Sequence, residues 1–169
     1  MKIIEALKQT KDLQRKASDI REKIKIYCVH QNIESPTYDN QEEQVENWLQ
    51  SHSDIVKEIL RLRVAIQKTN VEVKVSIAIG GQSITKSIAE WIHRRRDLAA
   101  LDESAWKCLT DKGLREGLMK NSQGEMVDVK IVRCYAPAER DVRIETYRSE
   151  PTMIDGQLEI TNATTNLIE

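Results

Sequence analysis

The chain has 169 residues, of which 31% are charged and 40% are hydrophobic, and its formal net charge is −1. This composition is typical of a globular protein, and the near-neutral charge argues against a protein that binds nucleic acid or an anionic membrane through bulk electrostatics. Aromatic residues make up only 4% and Phe is absent. Aliphatic side chains are therefore expected to carry the packing, as they do in narrow helix–helix seams.

The sequence carries no sign of export or of membrane insertion. No apolar stretch approaches the ~20 residues of a membrane-spanning helix, and Glu5 interrupts the segment in which a signal peptide would be apolar. The cysteines Cys28, Cys108 and Cys134 are odd in number and far apart, which argues against a disulfide framework. We therefore expect a cytoplasmic protein with reduced thiols, or a virion protein if the source is viral, and no membrane partner.

Residues 2–30 are predicted to form a long helix with a coiled-coil seam. Apolar or small residues recur there at alternating spacings of three and four, which is the heptad pattern of helices that pack along their length. No Gly or Pro interrupts the pattern. The seam positions are Ile3, Ala6, Thr10, Leu13, Ala17, Ile20, Ile24 and Tyr27.

A second helix is predicted over residues 41–69, after a turn over residues 31–40 that contains Ser35 followed by Pro36. At ~1.5 Å per residue each helix is about 40 Å long, so the short connection makes the two helices antiparallel neighbours. Further apolar residues flank the second seam at Leu49, Val56 and Leu60. The second seam consists of Val45, Trp48, His52, Ile55, Ile59, Leu62 and Ile66.

The charges of the two segments support this pairing. Residues 1–30 hold eight basic and four acidic side chains, a net of +4, whereas residues 31–70 hold four basic and seven acidic side chains, a net of −3. Opposite signs favour docking of the two helices on each other and disfavour pairing of like with like. Because each exposed pair contributes only about 0–1 kcal/mol, the pattern determines partner choice more than stability.

The remainder of the chain is predicted to combine a small sheet with two helices. Alternation predicts strands over residues 71–79, 127–134 and 142–148, which together make a three-stranded antiparallel sheet. A third helix, capped by Ser83 or Thr85 after the turn at Gly80 and Gly81, should run to about residue 118 with a kink or break near 102–104. The pattern also predicts a turn over residues 121–124 and a closing C-terminal helix over 151–168 that begins at Pro151.

The predicted fold class is therefore mainly α with a small antiparallel β-sheet, that is, α+β. Residues 1–70 form a helical hairpin arm, and residues 71–169 form a strand–helix–β-hairpin–helix body that packs on the arm as part of a single structural unit. A two-helix arm without further cover is marginal in water. Another part of the chain or a second subunit is expected to cover it.

The motifs of common enzymes are missing from the sequence. It has no nucleophile elbow, phosphate loop or dinucleotide fingerprint, and Gly80 and Gly81 lack the further residues of a phosphate cradle. Cys28 and His30 supply two candidate metal ligands, but a zinc site needs at least three, and the other candidates show no paired spacing: His52, His93, Cys108 and Cys134. We expect no catalytic residue, no metal, no cofactor and no small-molecule substrate.

The densest charge run contains Arg94, Arg95 and Arg96 between Glu90 and Asp97. Three adjacent arginines can bind phosphates or carboxylates. The simpler interpretation is a solvated helix face that is paired with acidic neighbours. If the arginines bind a partner, the neutral overall charge favours an acidic protein over nucleic acid, and no specific nucleic-acid partner is expected.

Several short motifs resemble those of a family of small bacterial helical-hairpin proteins known as septicolysin-like. They are Ile66-x-x-Thr69-Asn70, Gly81-x-Ser83-Ile84, Ile88-x-x-x-Ile92-x-x-Arg95-x-x-Leu98, and Ile154-x-x-x-Leu158-x-x-Thr161-Asn162-x-Thr164-Thr165. The resemblance spans most of the chain. It implies a long helical hairpin with a small sheet and an oligomeric habit, and it implies no established activity.

The sequence thus favours a non-enzymatic structural protein that acts through homo-oligomerisation, alone or with other proteins of a large assembly such as a phage capsid or tail accessory protein. Its predicted packing and oligomer seam comprises Ile3, Leu13, Ile20, Ile24, Tyr27, Val45, Trp48, Ile55, Ile59, Leu62 and Ile66. Two alternatives remain open. One is a protein-binding adaptor that uses the face of Arg94, Arg95 and Arg96, and the other is a membrane-active protein whose amphipathic arms open.

Overall fold

The structure is a computed structural model that describes residues 1–168. It is mainly helical with two small antiparallel sheets, so the predicted α+β class is confirmed, whereas the predicted three-stranded sheet is wrong. The elements in chain order are α1 (Ile3–Tyr27), α2 (Gln41–Glu72), β1 (Lys74–Ile79), β2 (Gln82–Ser87), α3 (Ile88–His93), a π-helix (Arg94–Leu98), α4 (Ala99–Lys107), β3 (Gly117–Lys120), β4 (Met126–Val129) and α5 (Pro137–Thr164).

Helices α1 and α2 form the antiparallel hairpin that the heptad spacing predicts. Ala6 from the start of α1 lies in one buried cluster with Leu62 and Ile66 from the end of α2. At the other end of the hairpin, the rings of Tyr27 and Trp48 lie 5.7 Å apart. The two helices therefore run in opposite directions along a common seam.

Local capping explains where the two helices begin. The Glu5 carboxylate accepts a hydrogen bond from the backbone N–H of Lys2, at 2.8 Å. Asn40 caps α2 and accepts a hydrogen bond at 3.2 Å from the backbone N–H of Glu43, whose carboxylate binds the Asn40 amide in return at 2.9 Å. Such reciprocal bonds satisfy backbone donors that a helix start leaves unpaired.

The chain ends meet at the open end of the hairpin. The N–H of Ile3 donates to the carbonyl of Thr165 at 3.1 Å, and the N–H of Leu167 donates to the carbonyl of Met1 at 2.8 Å. The N–H of Ile168 donates to the hydroxyl of Thr69, a fully buried residue of α2, also at 2.8 Å. This terminal bridge covers the last turn of the seam.

The chain divides into two compact units. The first comprises Met1–Val75, Ser87–Ala89 and residues 158–168, and the second comprises Ser76–Lys86 and Glu90–Gln157. The sequence instead predicted a boundary near residue 70. Its description of residues 71–169 as one body that packs on the arm stays a prediction.

The strands form two separate hairpins. β1 pairs with β2 across Gly80 and Gly81, whose φ angles of +58° and +81° favour glycine. β3 pairs with β4 across the predicted turn at residues 121–124, with Met119 opposite Val127. Strand β1 begins at Lys74 rather than at residue 71, because Val71 still belongs to α2.

Two further predictions about helices are corrected. Ser83 and Thr85 lie in β2, so the third helix begins at Ile88, and its irregular stretch lies at Arg94–Leu98 rather than near 102–104. Residues 142–148 are not a strand but part of α5, which begins at Pro137 and passes through Pro151. The alternation of apolar residues within 142–148 suggests a strand, but a helical spacing is also present there. Ile144 and Tyr147 lie on the same helical face as the buried Ile154 and Leu158, which follow at helical spacing.

Candidate functional site

The second unit contains a cavity of about 710 Å³ with walls from three parts of the chain. The β1–β2 hairpin forms one wall, the helical stretch from α3 through the π-helix to α4 forms another, and the first half of α5 forms a third. A volume between ~300 and ~1,000 Å³ is typical of small-molecule sites. The lining residues that matter below are Ile79, Gly80, Ile84, Lys86, Trp91, Arg94, Asp102, Glu139, Val142, Arg143, Thr146, Tyr147 and Glu150.

Arg94 is the central charged group of this cavity. Its guanidinium donates two hydrogen bonds to the two carboxylate oxygens of Glu150, both at 2.7 Å, and a third at 2.6 Å to Asp102. The Glu150 side chain is only 4% exposed, and the Arg94 side chain is 20% exposed. The hydrogen bonds that Arg94 donates to Glu150 raise the pKa of Arg94 further above its ordinary value, against the opposing effect of burial. Arg94 therefore stays charged and is fixed in orientation.

The π-helix places Arg94 and Asp102 on one face of their helical stretch. A regular α-helix turns ~100° per residue, so eight residues would leave the two side chains about 80° apart. The i→i+5 turn of a π-helix is wider, and the π-helix at Arg94–Leu98 takes up part of that rotation. The irregularity thus builds the ion network, in keeping with the frequent occurrence of π-bulges at functional sites.

The glycine turn of the β1–β2 hairpin lies against α5 in the cavity wall. A Cβ atom added at Gly80 would lie 3.2 Å from the Cγ2 atom of Thr146. The positive φ of Gly80 adds strain for any other residue. Glycine at this position therefore fixes how closely the hairpin approaches α5.

The three arginines of the charge run do not form one binding face. Arg94 lines the cavity, whereas the Arg95 guanidinium donates to Asp155 at 2.7 Å and Arg96 donates to the neighbouring Asp97 at 3.3 Å. Each arginine therefore already has a carboxylate partner in its own chain. Their proposed contact with an anionic partner stays a prediction.

The predicted seam residues lie along the contact between α1 and α2 within one chain. Ile3, Leu62 and Ile66 are buried. The other eight are half-buried: Leu13, Ile20, Ile24, Tyr27, Val45, Trp48, Ile55 and Ile59. The hairpin itself uses the seam, so a contact between two copies that leaves the hairpin intact uses another surface, and a role of the seam residues in an oligomer stays a prediction.

Such a surface exists on the flank of α2. Five apolar side chains that are between 48% and 65% exposed follow one stripe, about a third of a turn around the helix from the seam. We call this the α2 stripe, and it consists of Leu49, Val56, Leu60, Val64 and Val71. Ile4 and Leu7 of α1 are also exposed, at 46% and 45%, and by helical periodicity they lie on the same face of the hairpin.

The sequence contained part of this signal. Leu49, Val56 and Leu60 are visible beside the second seam, but Val71 resembles the start of a strand. Asp102 and Glu150 were missed, since nothing in the sequence distinguishes a buried carboxylate from an exposed one when its partner is far along the chain. No group of three or more His, Cys, Asp or Glu side chains in residues 1–168 is arranged to hold a metal ion, and Cys28 and His30 are both exposed.

A second ion cluster joins the turn that follows α4 to the segment before α5. The Arg133 guanidinium donates to the two carboxylate oxygens of Asp111 at 2.7 and 2.6 Å, and the Tyr135 hydroxyl lies 3.4 Å from the same carboxylate. The hydrogen bonds from Arg133 lower the pKa of Asp111 below its ordinary value of 3.8. The stabilisation from this pair is present above pH 3.8, and it is lost as the pH falls through the lowered pKa.

Replacement of Arg133 by Ala is expected to raise the pKa of Asp111 toward 3.8, because the largest stabilising contact of the carboxylate is removed. The pKa is measured from the carboxyl ¹³C chemical shift of Asp111 as a function of pH. Arg115→Ala, which changes an exposed arginine in the same loop region, should leave the value unchanged. An unaltered Asp111 pKa in Arg133→Ala would show that the ion pair does not form in solution.

No helix within residues 1–168 combines the length and the apolar character that crossing a membrane requires.

The model of a family of unknown function, DUF6847, matches residues 10–167, so the chain belongs to this family. No curated protein matches the sequence.

Among solved structures, the chain is similar to the crystal structure of a functionally unknown conserved protein from Corynebacterium diphtheriae. The two chains share 18% identity and superpose with a TM-score of 0.58 over 99% of each chain. The likeness supports the fold alone. None of these comparisons concerns a septicolysin-like family, so that resemblance stays a prediction.

Proposed function

We propose that this member of the family is a non-enzymatic assembly protein that works as a homodimer, in which two copies pair through the α2 stripe. The observation that carries the proposal is the exposure of five aligned apolar side chains on one helix. A contiguous apolar patch with a polar rim is typical of an interaction surface. Within the described chain these side chains remain largely open to solvent.

The spacing of the stripe fits a second copy of the same helix. Counted from Leu60, Val56 and Val64 lie four residues to either side, and Leu49 and Val71 lie eleven residues to either side. In a two-fold symmetric contact each surface must be complementary to itself. An antiparallel pair of α2 helices centred on Leu60 therefore brings Val56 opposite Val64 of the other copy, and Leu49 opposite Val71.

The charges of α2 favour the same arrangement. Before Leu60 the helix holds five acidic side chains and one basic side chain, a net of −4, and after it three basic side chains and one acidic side chain, a net of +2. Antiparallel pairing places the acidic half of each helix beside the basic half of the other. Parallel pairing would place like beside like, which costs free energy. The partner is therefore best matched by a second copy.

The adaptor role has less support. It requires Arg94, Arg95 and Arg96 to bind an external anionic partner, but each is already paired with a carboxylate of the same chain. An external anion would have to displace these contacts. The membrane-active alternative requires the two arms of the hairpin to open, which would expose the seam and break the buried contacts of Leu62 and Ile66.

Sedimentation equilibrium of the full chain is expected to show a reversible dimer. Leu60→Glu and Leu60→Lys should each weaken the dimer by at least about tenfold, since like charges meet at the two-fold axis in place of two leucines. A 1:1 mixture of the two variants should restore a dimer, because Glu then faces Lys. Both variants should fold normally, since Leu60 is 63% exposed.

Ile33→Glu is the matched control, because Ile33 is an exposed apolar residue of the loop between α1 and α2, outside the α2 stripe. It should dimerise like the unaltered chain. A monomeric unaltered chain at about 100 μM would overturn the proposal. So would a dimer that tolerates Leu60→Glu, or a mixture of the Glu and Lys variants that stays monomeric.

A further inference from the structure

The Arg94 ion network in the cavity of the second unit carries an uncompensated negative charge. Arg94 carries one positive charge, which it shares between Glu150 and Asp102. Both oxygens of Glu150 accept hydrogen bonds from Arg94, and the group is buried. Asp102 uses only its Oδ2 atom in that network, and its side chain is 46% exposed. The Asp102 carboxylate is therefore available to a cationic group in the cavity.

A positive charge lies on a different wall. Lys86 belongs to β2, lines the cavity and is half-buried. It forms no ion pair with any acidic side chain of residues 1–168. Arg143, the third cation of the lining after Lys86 and Arg94, lies 3.7 Å from the Glu139 carboxylate on its own helix. Lys86 is thus the cation best able to receive an anionic group.

Apolar and aromatic side chains complete the lining. Ile79 and Ile84 come from the β1–β2 hairpin, and Val142 comes from α5. The Tyr147 ring also lines the cavity, with the Arg94 guanidinium 5.8 Å from its centre. The cavity therefore carries charges of opposite sign on different walls and has apolar surface in its lining.

We propose that this cavity binds a small zwitterion with an aliphatic body, of the amino-acid or dipeptide class. The ligand ammonium binds Asp102 and its carboxylate binds Lys86, while the aliphatic part contacts Ile79, Ile84 and Val142. The lining holds three basic and three acidic side chains and is neutral as a whole. A purely anionic or purely cationic ligand would satisfy one end and leave the other charge unpaired, at a cost in desolvation.

The test compares four probes by titration of the ¹⁵N-labelled full chain, followed in two-dimensional NMR spectra. L-leucine and the dipeptide Leu-Leu are zwitterions, N-acetyl-L-leucine keeps only the carboxylate, and L-leucinamide keeps only the cation. At least one zwitterion is expected to bind at least about tenfold more tightly than both single-charge probes, since each charged contact contributes on this scale. The amides of Gly80 and its neighbours should shift. Whichever of the two zwitterions binds more tightly shows whether the cavity prefers a free amino acid or a dipeptide.

Two variants assign the charged ends. Asp102→Asn keeps an oxygen acceptor for Arg94. It should weaken the binding of the preferred zwitterion and of L-leucinamide, and leave the binding of N-acetyl-L-leucine unchanged. Lys86→Met should weaken the binding of the preferred zwitterion and of N-acetyl-L-leucine, and leave the binding of L-leucinamide unchanged. Asp128→Asn and Lys130→Met change a charged pair at the end of the β3–β4 hairpin, outside the cavity, and should leave all four affinities unchanged.

The proposal is overturned if no probe shifts the cavity amides at 10 mM, or if the zwitterions bind no better than the single-charge probes. Equal weakening of the binding of all four probes by either variant, with the folded NMR spectrum retained, would also overturn it, because the substituted charge would then not select between the ammonium and the carboxylate. The cavity involves no residue of the α2 stripe. Dimerisation can therefore fail while the ligand binds, and the reverse also holds.

Discussion

Replacement of Leu62 by Ala is expected to lower the free energy of unfolding by about 3 kcal/mol, within the range of 2–5 kcal/mol for buried leucines. Leu62 is fully buried and contacts Ala6 and Ile66 in the hairpin seam. The side chain of Ala6 is too small to fill the cavity that the substitution leaves. The loss is measured by urea unfolding, followed by the helical circular dichroism signal.

Leu60→Ala provides a matched control on the same helix. Leu60 lies two residues away, but its side chain is 63% exposed, so its truncation creates no internal cavity. At concentrations at which the chain is monomeric, the unfolding free energy should fall by less than about 1 kcal/mol. Equal losses for the two variants would contradict the assignment of Leu62 to the seam and Leu60 to the outer surface.

Replacement of Glu150 by Ala is expected to destabilise the chain by about 3 kcal/mol, because removing one partner of a buried ion pair leaves the other charge without compensation. Arg94 would lose two charge-assisted hydrogen bonds and keep only its bond to Asp102. That remaining bond limits the loss. Urea unfolding again gives the free energy, and the fluorescence of Trp91, which is buried and lines the cavity, should change in the folded state.

Asp155→Ala is the control for that variant, since Asp155 also accepts a hydrogen bond from an arginine and also lies on α5. Its pair with Arg95 is exposed on both sides, at 60% and 41%. Exposed pairs contribute about 0–1 kcal/mol. A loss for Asp155→Ala as large as that for Glu150→Ala would mean that burial of the Arg94 network has little energetic consequence.

The hairpin could be predicted because its signal is local and long. The heptad spacing from Ile3 to Tyr27 has no competing interpretation, and Pro36 marks the turn. Each seam position adds weight to the same helical period. The structure accordingly differs from the prediction by only a few residues at the ends of α1 and α2.

Residues 137–150 could not be assigned correctly in the same way. Val142, Ile144 and Thr146 alternate as in a strand, while Pro151 resembles a helix start. Pro137 also occupies the first turn of a helix, where its fixed φ is favourable, and burial of Ile154 favours one continuous helix. The outcome depends on tertiary burial, which a short alternating window does not reveal.

The site was predictable only in part. The charge run identified Arg94, but its partners Asp102 and Glu150 lie eight and 56 residues further along the chain. Their approach depends on the π-helix and on the placement of α5, and no local sequence pattern indicates either. The expectation of no small-molecule substrate depends on absent motifs and stays a prediction, since a cavity assembled from three separate segments has no such motif.

The terminal bridge has a consequence for the order of folding. The bond from the Lys2 side chain to the carbonyl of Thr164 joins residues 162 positions apart, whereas the contacts of the hairpin tip, such as Gln41 with Tyr27, span only 14. Closing a longer loop costs more chain entropy and slows the contact. We therefore expect the hairpin to close from its tip toward its open end, and the cover on the last turn of the seam to form last.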